Sequence, residues 1–396
     1  MTKIRMDTLC AMEKHSKENG SAHILPINAS SAFSYNSLEA SIEVFTGQQE
    51  GFVYGRYGNP TITAVENKLA AMDALNLDYD LYCTLTSSGM SAIATLLMSQ
   101  LKTGDRIITH YNLYGGTTEL LKSILSKQGI HISFCDLEDL DVLEKKLIAE
   151  KNVKLIYFES PSNPTLNCLD IKSLVVLAKK YDIDTVMDNT FCTPYLQRGI
   201  EMGINFIIYS TTKFLNGHGN ALSGAIICKT AAEQKNIWNH MKLLGSNCNP
   251  FDAWLLHNGL KTLPLRMDKH CSNAMALAEF LESRDEVLKV NYPGLTTNKY
   301  HKLATRQMDQ FGAMLSFELK GGLEAAKKFM NACQLATITS TLGNVDTLLL
   351  HPATSSHLNI DPEIRKANGI TDGLVRVSVG IENIDDIKAD FKRALE

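Results

Sequence analysis

Long hydrophobic runs are absent from this sequence. No stretch reaches the about eighteen apolar residues that a transmembrane helix requires, and the polar start MTKIRMDTLCAMEKHSKENG lacks the apolar core of a secretory signal. The formal net charge is only −4 over 396 residues, so no global field attracts nucleic acid or an anionic membrane. We therefore expect a cytoplasmic protein with neither nucleic acid nor a membrane as partner.

Paired cysteines are missing as well. Nine cysteines are scattered singly from Cys10 to Cys333 without a C-x-x-C pair. This distribution argues against a disulfide framework or a zinc site and fits reduced thiols. His351 and His357 have no neighbours at ligand spacing, so we expect no metal.

Two nucleotide-binding fingerprints are also lacking. The sequence contains neither G-x-G-x-x-G nor the P-loop pattern G-x-x-x-x-G-K-[ST]. An NAD-linked dehydrogenase or a nucleoside triphosphatase would need one of these loops to hold its phosphates. Both classes are therefore disfavoured.

The chain does contain the composition and the alternating pattern of an α/β protein. Apolar residues make up 44% and charged residues 21%, which is ordinary for a globular protein, and the length favours two domains. Helical stretches such as Met90–Leu101 and Ile171–Lys180 alternate with apolar runs of strand character. These runs are Leu81–Leu85, Arg106–Thr109, His131–Phe134, Lys154–Phe158, Asp184–Met187, Phe206–Tyr209 and Ala225–Cys228. The alternation predicts a mostly parallel sheet with helices on both faces.

Three segments follow from changes in this pattern. Residues 1–52 have weak periodicity and are predicted to be an N-terminal arm, and residues 53–249 form the α/β domain. After Asn249-Pro250 a long helical pattern, Asp252–Asp285, leads into short strands and helices, which predicts a smaller α+β domain over residues 250–396.

Three places in the predicted α/β domain carry residues suited to chemistry. Ser87–Ala92 (SSGMSA) lies between a strand and a helix, where bare N–H groups at a helix start bind phosphate; a simple turn with a serine N-cap is the alternative. Asp188 follows a strand, where ligands of open α/β sheets bind, although an aspartate can also cap a turn.

Lys213 in Ser210–Lys213 (STTK) is the third place. A lysine that directly follows an apolar strand is partly desolvated, and desolvation lowers its pKa toward that of an amine nucleophile. Ser210 and Thr212 alternate, so both hydroxyls can face one ligand. A lysine at a strand end is by itself usually a surface residue, so the combination of the three places carries the prediction.

The sequence resembles the Cys/Met-metabolism family of fold-type I enzymes that use pyridoxal 5′-phosphate (PLP). The similarity extends from about Val53 to Ile381, and it rests on seven blocks. These are YGRYGNPT (54–61), SSGM (87–90), YGG (114–116), ESPSNPT (159–165), DNTF (188–191), STTKFLNGH (210–218) and GITDGLVRVSVGIE (369–382). The resemblance implies a fold-type I α/β architecture, PLP as cofactor, and sulfur-containing or homoserine-derived amino acids as substrates.

The resemblance also implies catalytic and cofactor-binding residues. Lys213 matches the lysine that bonds to the cofactor and moves protons, Asp188 the partner of the pyridine nitrogen, and Tyr114 the ring that stacks on the cofactor and serves the leaving group. The matching phosphate-binding set comprises Ser88, Gly89, Met90, Ser210 and Thr212, with Tyr54 and Arg56 supplied by a neighbouring subunit. The active site is then shared within a homo-oligomer, for which the family implies a tetramer.

The substrate side is implied in the same way. Arg376 matches the residue that grips the substrate α-carboxylate, a task suited to a planar two-pronged donor. Asn163 matches the neighbour of the cofactor O3′ and the substrate, and Ser340 or Thr341 lies where the family makes a further carboxylate contact.

Family members differ in reaction, and this sequence departs from the methionine γ-lyases. Those usually have Cys where this chain has Gly116, and Lys-Asp where it has Met241-Lys242. The segment 243–250 (LLGSNCNP) resembles some cystathionine γ-synthases, whereas 342–357 (LGNVDTLLLHPATSSH) resembles sulfhydrylases and methionine lyases. Asn220 replaces a frequent Asp.

These features lead to a first prediction and two alternatives. We predict γ-replacement on an activated homoserine ester by a thiol or sulfide. The first alternative is a γ-lyase that releases 2-oxobutyrate and ammonia from methionine, cystathionine or homocysteine. A catalytically silent scaffold on the same fold is the second, and the intact pair of Lys213 and Asp188 argues against it.

Overall fold

A seven-stranded sheet forms the centre of the larger part of the molecule in a computed structural model, which describes residues 4–13, 20–358 and 360–396. Its strands in spatial order are β1, β7, β6, β5, β4, β2 and β3. Their bounds are β1 Tyr82–Thr86, β2 Arg106–Thr109, β3 His131–Phe134, β4 Val153–Glu159, β5 Asp184–Asp188, β6 Phe206–Tyr209 and β7 Gly224–Cys228.

The sheet is parallel except at one strand. β3, β2, β4, β5 and β6 run parallel, and β7 is antiparallel to both β6 and β1. All four residues of β6 and all five of β7 are buried, as expected where helices cover both faces. The predicted mostly parallel sheet is confirmed.

Fifteen α-helices lie in the described residues. Their bounds are α1 Met6–Ala11, α2 Leu38–Phe45, α3 Pro60–Asp73, α4 Gly89–Gln100, α5 Gly115–Glu119, α6 Leu140–Ala149, α7 Ile171–Lys180, α8 Thr193–Leu196, α9 Ala231–Leu244, α10 Pro250–Leu260, α11 Leu263–Glu282, α12 His301–Gln307, α13 Gly322–Ala332, α14 Pro362–Ala367 and α15 Ile384–Leu395. None of the helices in the described residues is long and apolar enough to cross a membrane.

A second sheet of five strands has its own core. The spatial order is β10, β11, β12, β9 and β8, with bounds β8 Val287–Asn291, β9 Met314–Leu319, β10 Thr337–Ile338, β11 Leu348–Leu350 and β12 Leu374–Ser378. Helices α11, α13 and α15 pack on it, and Phe317, Phe329 and Phe391 contact one another at its centre. This sheet is the smaller α+β unit that the sequence predicts.

The link between the two units differs from the single helix expected over Asp252–Asp285. The chain forms two helices, α10 and α11, separated by Lys261 and Thr262. Pro264 occupies the first turn of α11, where a missing N–H is tolerated, so a new helix starts there. The start of α11 packs in the first core and its second half in the other core. The domain limits at residues 52 and 249 remain predictions.

The predicted arm includes two short helices. Met6 and Cys10 of α1 are buried in the first core, whereas α2 has no buried residue. Asn28 binds Thr61 at the start of α3 through its backbone N–H, at 2.9 Å. Part of the arm therefore contributes to the core of the α/β unit.

Candidate active site

A cavity of about 210 Å³ lies beyond the carboxyl ends of β4, β5 and β6, where residues of the smaller unit cover it. Its lining includes most of the residues that the sequence singles out: Ser88, Gly89, Met90, Tyr114, Asn163, Asp188, Ser210, Thr212, Lys213, Ser340 and Arg376. The position at the strand ends is where open α/β sheets bind ligands.

The start of α4 provides an anion site on one wall of the cavity. Ser88 caps the helix: its hydroxyl accepts from the Ser91 N–H at 3.1 Å, and the Ser91 hydroxyl accepts from the Ser88 N–H at 2.8 Å. A Cβ on Gly89 would lie 2.7 Å from the Cβ of Ser210, so this approach requires glycine. The free N–H groups of the first turn and the Ser210 hydroxyl suit the phosphate of PLP.

Thr212 lies beside this wall with its hydroxyl already engaged. The hydroxyl donates to the Ser223 carbonyl at 3.1 Å and accepts from the Ser223 N–H at 3.1 Å. A Cβ on the next residue, Gly224, would lie 2.3 Å from the Ser88 carbonyl oxygen, so a second glycine permits the close packing here. No sequence pattern singles out Gly224.

Lys213 projects into the cavity from the turn that follows β6. Its Nζ donates to the Thr341 hydroxyl at 2.9 Å. Burial, followed by the positive charge of Arg376, lowers the pKa of Lys213 to about 8. The amine is thus close to the pKa that a lysine needs to act as nucleophile and base near neutral pH.

Asp188 ends β5 and has no cationic partner among the ion pairs of the described residues. Its Oδ1 accepts from the Thr190 N–H at 3.0 Å. Burial raises the pKa of Asp188, and the hydrogen bonds from Thr190 oppose this rise. A buried carboxylate that lacks a cation fits the protonated pyridine nitrogen of PLP.

Arg376 of β12 closes the cavity from the smaller unit. It is 3% exposed, donates to Asn163 Oδ1 at 3.2 Å and to the Thr341 carbonyl at 3.0 Å. Its Nε is buried and has no hydrogen-bond partner in the described residues. Burial lowers the pKa of Arg376 to about 10. Arg376 lines the cavity, and a buried guanidinium there suits a carboxylate ligand.

Tyr114 lines the cavity, with 45% of its surface exposed. A Cβ on Gly116 would lie 2.7 Å from Cε1 of its ring and 3.1 Å from the sulfur of Met90. The ring therefore occupies space that any larger residue at position 116 would take.

Two of the predicted cofactor residues lie elsewhere in the protomer. Tyr54 and Arg56 do not line the cavity, and Arg56 Nη1 donates to the Lys242 carbonyl at 2.7 Å beside a separate cleft. Their predicted contribution to the site of a neighbouring subunit remains a prediction. Thr341 contacts both Lys213 and Arg376, and Ser340 lines the cavity, so both carboxylate candidates lie at the site.

Some cavity residues were missed from the sequence. Thr190 and Glu159 are among them, and the Thr190 hydroxyl accepts from the Ser210 N–H at 2.8 Å, which links the ends of β5 and β6. Glu159 ends β4 as Asp188 ends β5, so the strand-end argument applied to Asp188 would have identified it.

Comparisons with known proteins agree with the resemblance. The model of the family described as Cys/Met metabolism PLP-dependent enzyme matches residues 7–396. The chain is 41% identical to an L-methionine gamma-lyase of Fusobacterium nucleatum subsp. polymorphum, over 94% of this chain and 93% of the lyase. It is 36% identical to the O-succinylhomoserine sulfhydrylase of Pseudomonas aeruginosa, over 98% and 94%. The structure of cystathionine gamma synthase from Xanthomonas oryzae pv. oryzae in complex with aminoacrylate and cysteine superposes with a TM-score of 0.93 at 34% identity, over 100% of this chain and 98% of the synthase chain.

Proposed function

The chain belongs to the Cys/Met metabolism PLP-dependent enzyme family, and from this premise we propose that it catalyses γ-replacement on an activated homoserine ester, with a thiol or sulfide as acceptor. The chain is a PLP-dependent trans-sulfuration enzyme, which sets aside the silent-scaffold alternative. Bound in the cavity, PLP would supply an electron sink for the carbons of the amino-acid substrate.

The residues of the chain divide the remaining work. Arg376, which lines the cavity, holds the α-carboxylate through its guanidinium. Lys213 takes the proton from Cα and moves it, because its lowered pKa leaves a neutral amine available. The Tyr114 hydroxyl stands at the open side, where it serves the group that leaves from Cγ. Asp188, which has no cationic partner among the ion pairs of the described residues, would hold the pyridine nitrogen of PLP.

The observation that carries the choice of γ-replacement is the contact between Gly116 and Tyr114. The Cβ atom of any side chain at position 116 would lie 2.7 Å from Cε1 of the Tyr114 ring. The resemblance assigns cysteine to this position in methionine γ-lyases. The Tyr114 ring could not keep its present position beside that cysteine, because the cysteine Cβ would lie too close to it. A different position of the Tyr114 ring changes its contacts with the γ-substituent of the substrate and with the incoming thiol.

A γ-lyase is the second candidate, and the relatives favour it. The L-methionine gamma-lyase of F. nucleatum subsp. polymorphum is 41% identical, whereas the P. aeruginosa sulfhydrylase is 36% identical. Both reactions use the same cofactor-binding residues, so those residues do not distinguish the two candidates.

A paired assay separates the two candidates. The purified protein is given O-acetylhomoserine, O-succinylhomoserine, methionine or cystathionine, each with and without cysteine or sulfide, and 2-oxobutyrate and thioether are measured. We expect consumption of a homoserine ester, with thiol diverting the product from 2-oxobutyrate to cystathionine or homocysteine. Rapid release of 2-oxobutyrate from methionine or cystathionine, unchanged by thiol, would establish the lyase instead.

We also propose that the working enzyme is a homotetramer built from dimers that share their active sites. Tyr54 and Arg56 lie outside the cavity of their own protomer, which supports a role for them in a neighbour. Ile24, Ile27, Leu38, Ile42 and Phe45 of the predicted arm are exposed apolar side chains, as expected of a surface that another copy covers.

A further inference from the structure

Glu159 is a buried acid at the active site to which the proposed reaction assigns no role. It is the last residue of β4, is 6% exposed and lines the cavity. In the parallel ladder it is paired with Asp188, so two carboxyl groups stand side by side at the strand ends.

The carboxyl of Glu159 is held by backbone N–H groups and not by a cation. Its Oε1 accepts from the Tyr114 N–H at 2.6 Å, and the Asn163 N–H also donates to the side chain. The backbone N–H of Glu159 itself donates to His110 Nε2 at 3.2 Å. One residue thus connects the loop after β2, which carries Tyr114, to the loop after β4, which carries Asn163.

Burial of a carboxyl group at this position costs free energy of folding. Burial, and then the charge of Asp188, raises the pKa of Glu159 to about 8, against the two N–H donors that lower it. A buried polar group of this kind contributes little to stability in comparison with a well-packed apolar side chain. A carboxyl retained at such a cost points to a role in the site.

Tyr114 needs an anchor of this kind. Its ring is 45% exposed, and its hydroxyl makes no hydrogen bond within the described part of the chain. It directly precedes the five-residue helix α5 and has no capping hydrogen bond from its own side chain. The bond from the Tyr114 N–H to Glu159 at 2.6 Å therefore directly constrains the backbone from which the ring extends.

We propose that Glu159 is a positioning residue for Tyr114, in that its carboxyl oxygen fixes the backbone from which the tyrosine ring extends over the cavity. Glu159 acts through Tyr114 and does not touch the reacting carbons. The inference rests on the proposed function only in using Tyr114 as the group that serves the γ-leaving group, which both candidate reactions require.

The test is a double-mutant cycle on the PLP-loaded enzyme. Glu159→Leu removes the acceptor and keeps most of the volume, so kcat should fall roughly ten- to a hundredfold, as expected when a reacting group is displaced by about 1 Å. KM should change by less than about threefold, because Arg376 still holds the substrate. Glu159→Gln keeps one acceptor oxygen and should restore kcat to within about threefold of wild type.

The cycle is completed in a Tyr114→Phe background, which lacks the hydroxyl that Glu159 positions. There Glu159→Leu should reduce kcat by less than about threefold, because the tyrosine hydroxyl is already absent and only the bond from the Asn163 N–H remains to be lost. If the losses in kcat of the two single variants multiply fully in the double variant, the proposal is wrong. It is also wrong if Glu159→Gln loses as much kcat as Glu159→Leu. If Glu159→Leu does not fold, Glu159→Asp, whose carboxyl is one methylene shorter, takes its place with the same expected loss and the same cycle.

One control variant completes the design. Asp390→Ala removes another buried carboxyl that accepts backbone N–H groups, those of Gln334, Leu335 and Ala336, but in the smaller unit; its kcat should stay at the wild-type level. Cycles are measured with whichever substrate the wild type turns over. Absence of turnover with every homoserine ester and every lyase substrate would refute the proposed function, whereas turnover with multiplying losses would refute only the role of Glu159.

Discussion

At the scale of single residues, Lys213 is the side chain on which the proposed reaction depends most directly. Its amine lies in the cavity with a pKa lowered to about 8, and no other lysine lines that cavity within the described residues. Lys213→Ala should abolish turnover and the visible absorption of covalently bound cofactor. Lys180→Ala, which removes an exposed lysine paired with Glu144, is the control and should leave both unchanged. Substantial turnover by Lys213→Ala would refute the assigned role.

Arg376 offers a second test at this scale. Arg376→Ala should mainly raise KM for amino-acid substrates, because it removes a buried charge-assisted pair worth roughly 2–5 kcal/mol. Arg376→Lys keeps the charge but not the two-pronged geometry and should fall between Ala and wild type. Initial rates over a wide substrate range give KM and kcat separately. An unchanged KM in the Ala variant would show that the carboxylate binds elsewhere.

The sequence predicted the residues at strand ends better than those brought in by loops. Asp188 is the last residue of β5 and Lys213 lies in the turn after β6, and parallel strands place their carboxyl ends at one edge. Arg376 lies in the middle of a strand of the other unit, and only the family resemblance identified it. The bond between Lys213 and Thr341 joins residues 128 apart in the chain, and no local pattern encodes it.

At the scale of secondary-structure elements, Asp73 ties the end of α3 to β6. Its Oδ1 accepts from the Tyr209 hydroxyl at 2.8 Å, and that hydroxyl also accepts from Asn189 Nδ2 at 3.1 Å. Burial raises the pKa of Asp73 from 3.8 to about 7 in the folded protein. The folded state therefore binds this proton more tightly than the unfolded state does.

The pH dependence of stability follows from that difference. Stabilisation from the protonated Asp73 is fully present below pH 3.8 and is lost as the pH rises through about 7. Asp73→Asn stays neutral, so the free energy of unfolding should decline less in the variant than in wild type between about pH 5 and about pH 8, by an amount on the order of a few kcal/mol. Denaturant unfolding at several pH values measures it. Equal declines in both proteins would contradict the prediction.

Elements with a strong local pattern were predicted well. The seven apolar runs agree with β1 to β7 to within one or two residues at each end, because buried parallel strands are continuous apolar segments. The break between α10 and α11 was missed although Pro264 signals it, since the helical period continues across it. Helix α1 is buried against a surface that α3 and α11 form together. The weak periodicity of residues 1–52 does not reveal this burial.

At the scale of the whole molecule, the structure of a single chain says least about the predicted contribution of Tyr54 and Arg56 to a neighbouring subunit. The guanidinium of Arg56 lies over the rings of Tyr54 and Tyr57, at 5.5 and 4.9 Å from their centroids, beside the cleft and not at the cavity. The motif YGRYGNPT does not indicate by itself whether it contributes to the active site of its own protomer or to that of a neighbouring protomer. Only a measurement on mixed subunits separates these two arrangements.

Complementation between two damaged variants is that measurement. Lys213→Ala and Arg56→Ala chains, with different affinity tags, are co-expressed, and the hybrids are isolated through both tags. If Arg56 serves the neighbouring site, one site in each mixed dimer combines an intact Lys213 with an intact Arg56. The hybrid should then exceed the activity of either parent. If Arg56 serves its own protomer, every site lacks one of the two residues and the hybrid stays as inactive as its parents. Co-expression of Lys213→Ala with Asp188→Asn is the control: both residues line the same cavity, so no hybrid contains an intact site and no activity should return.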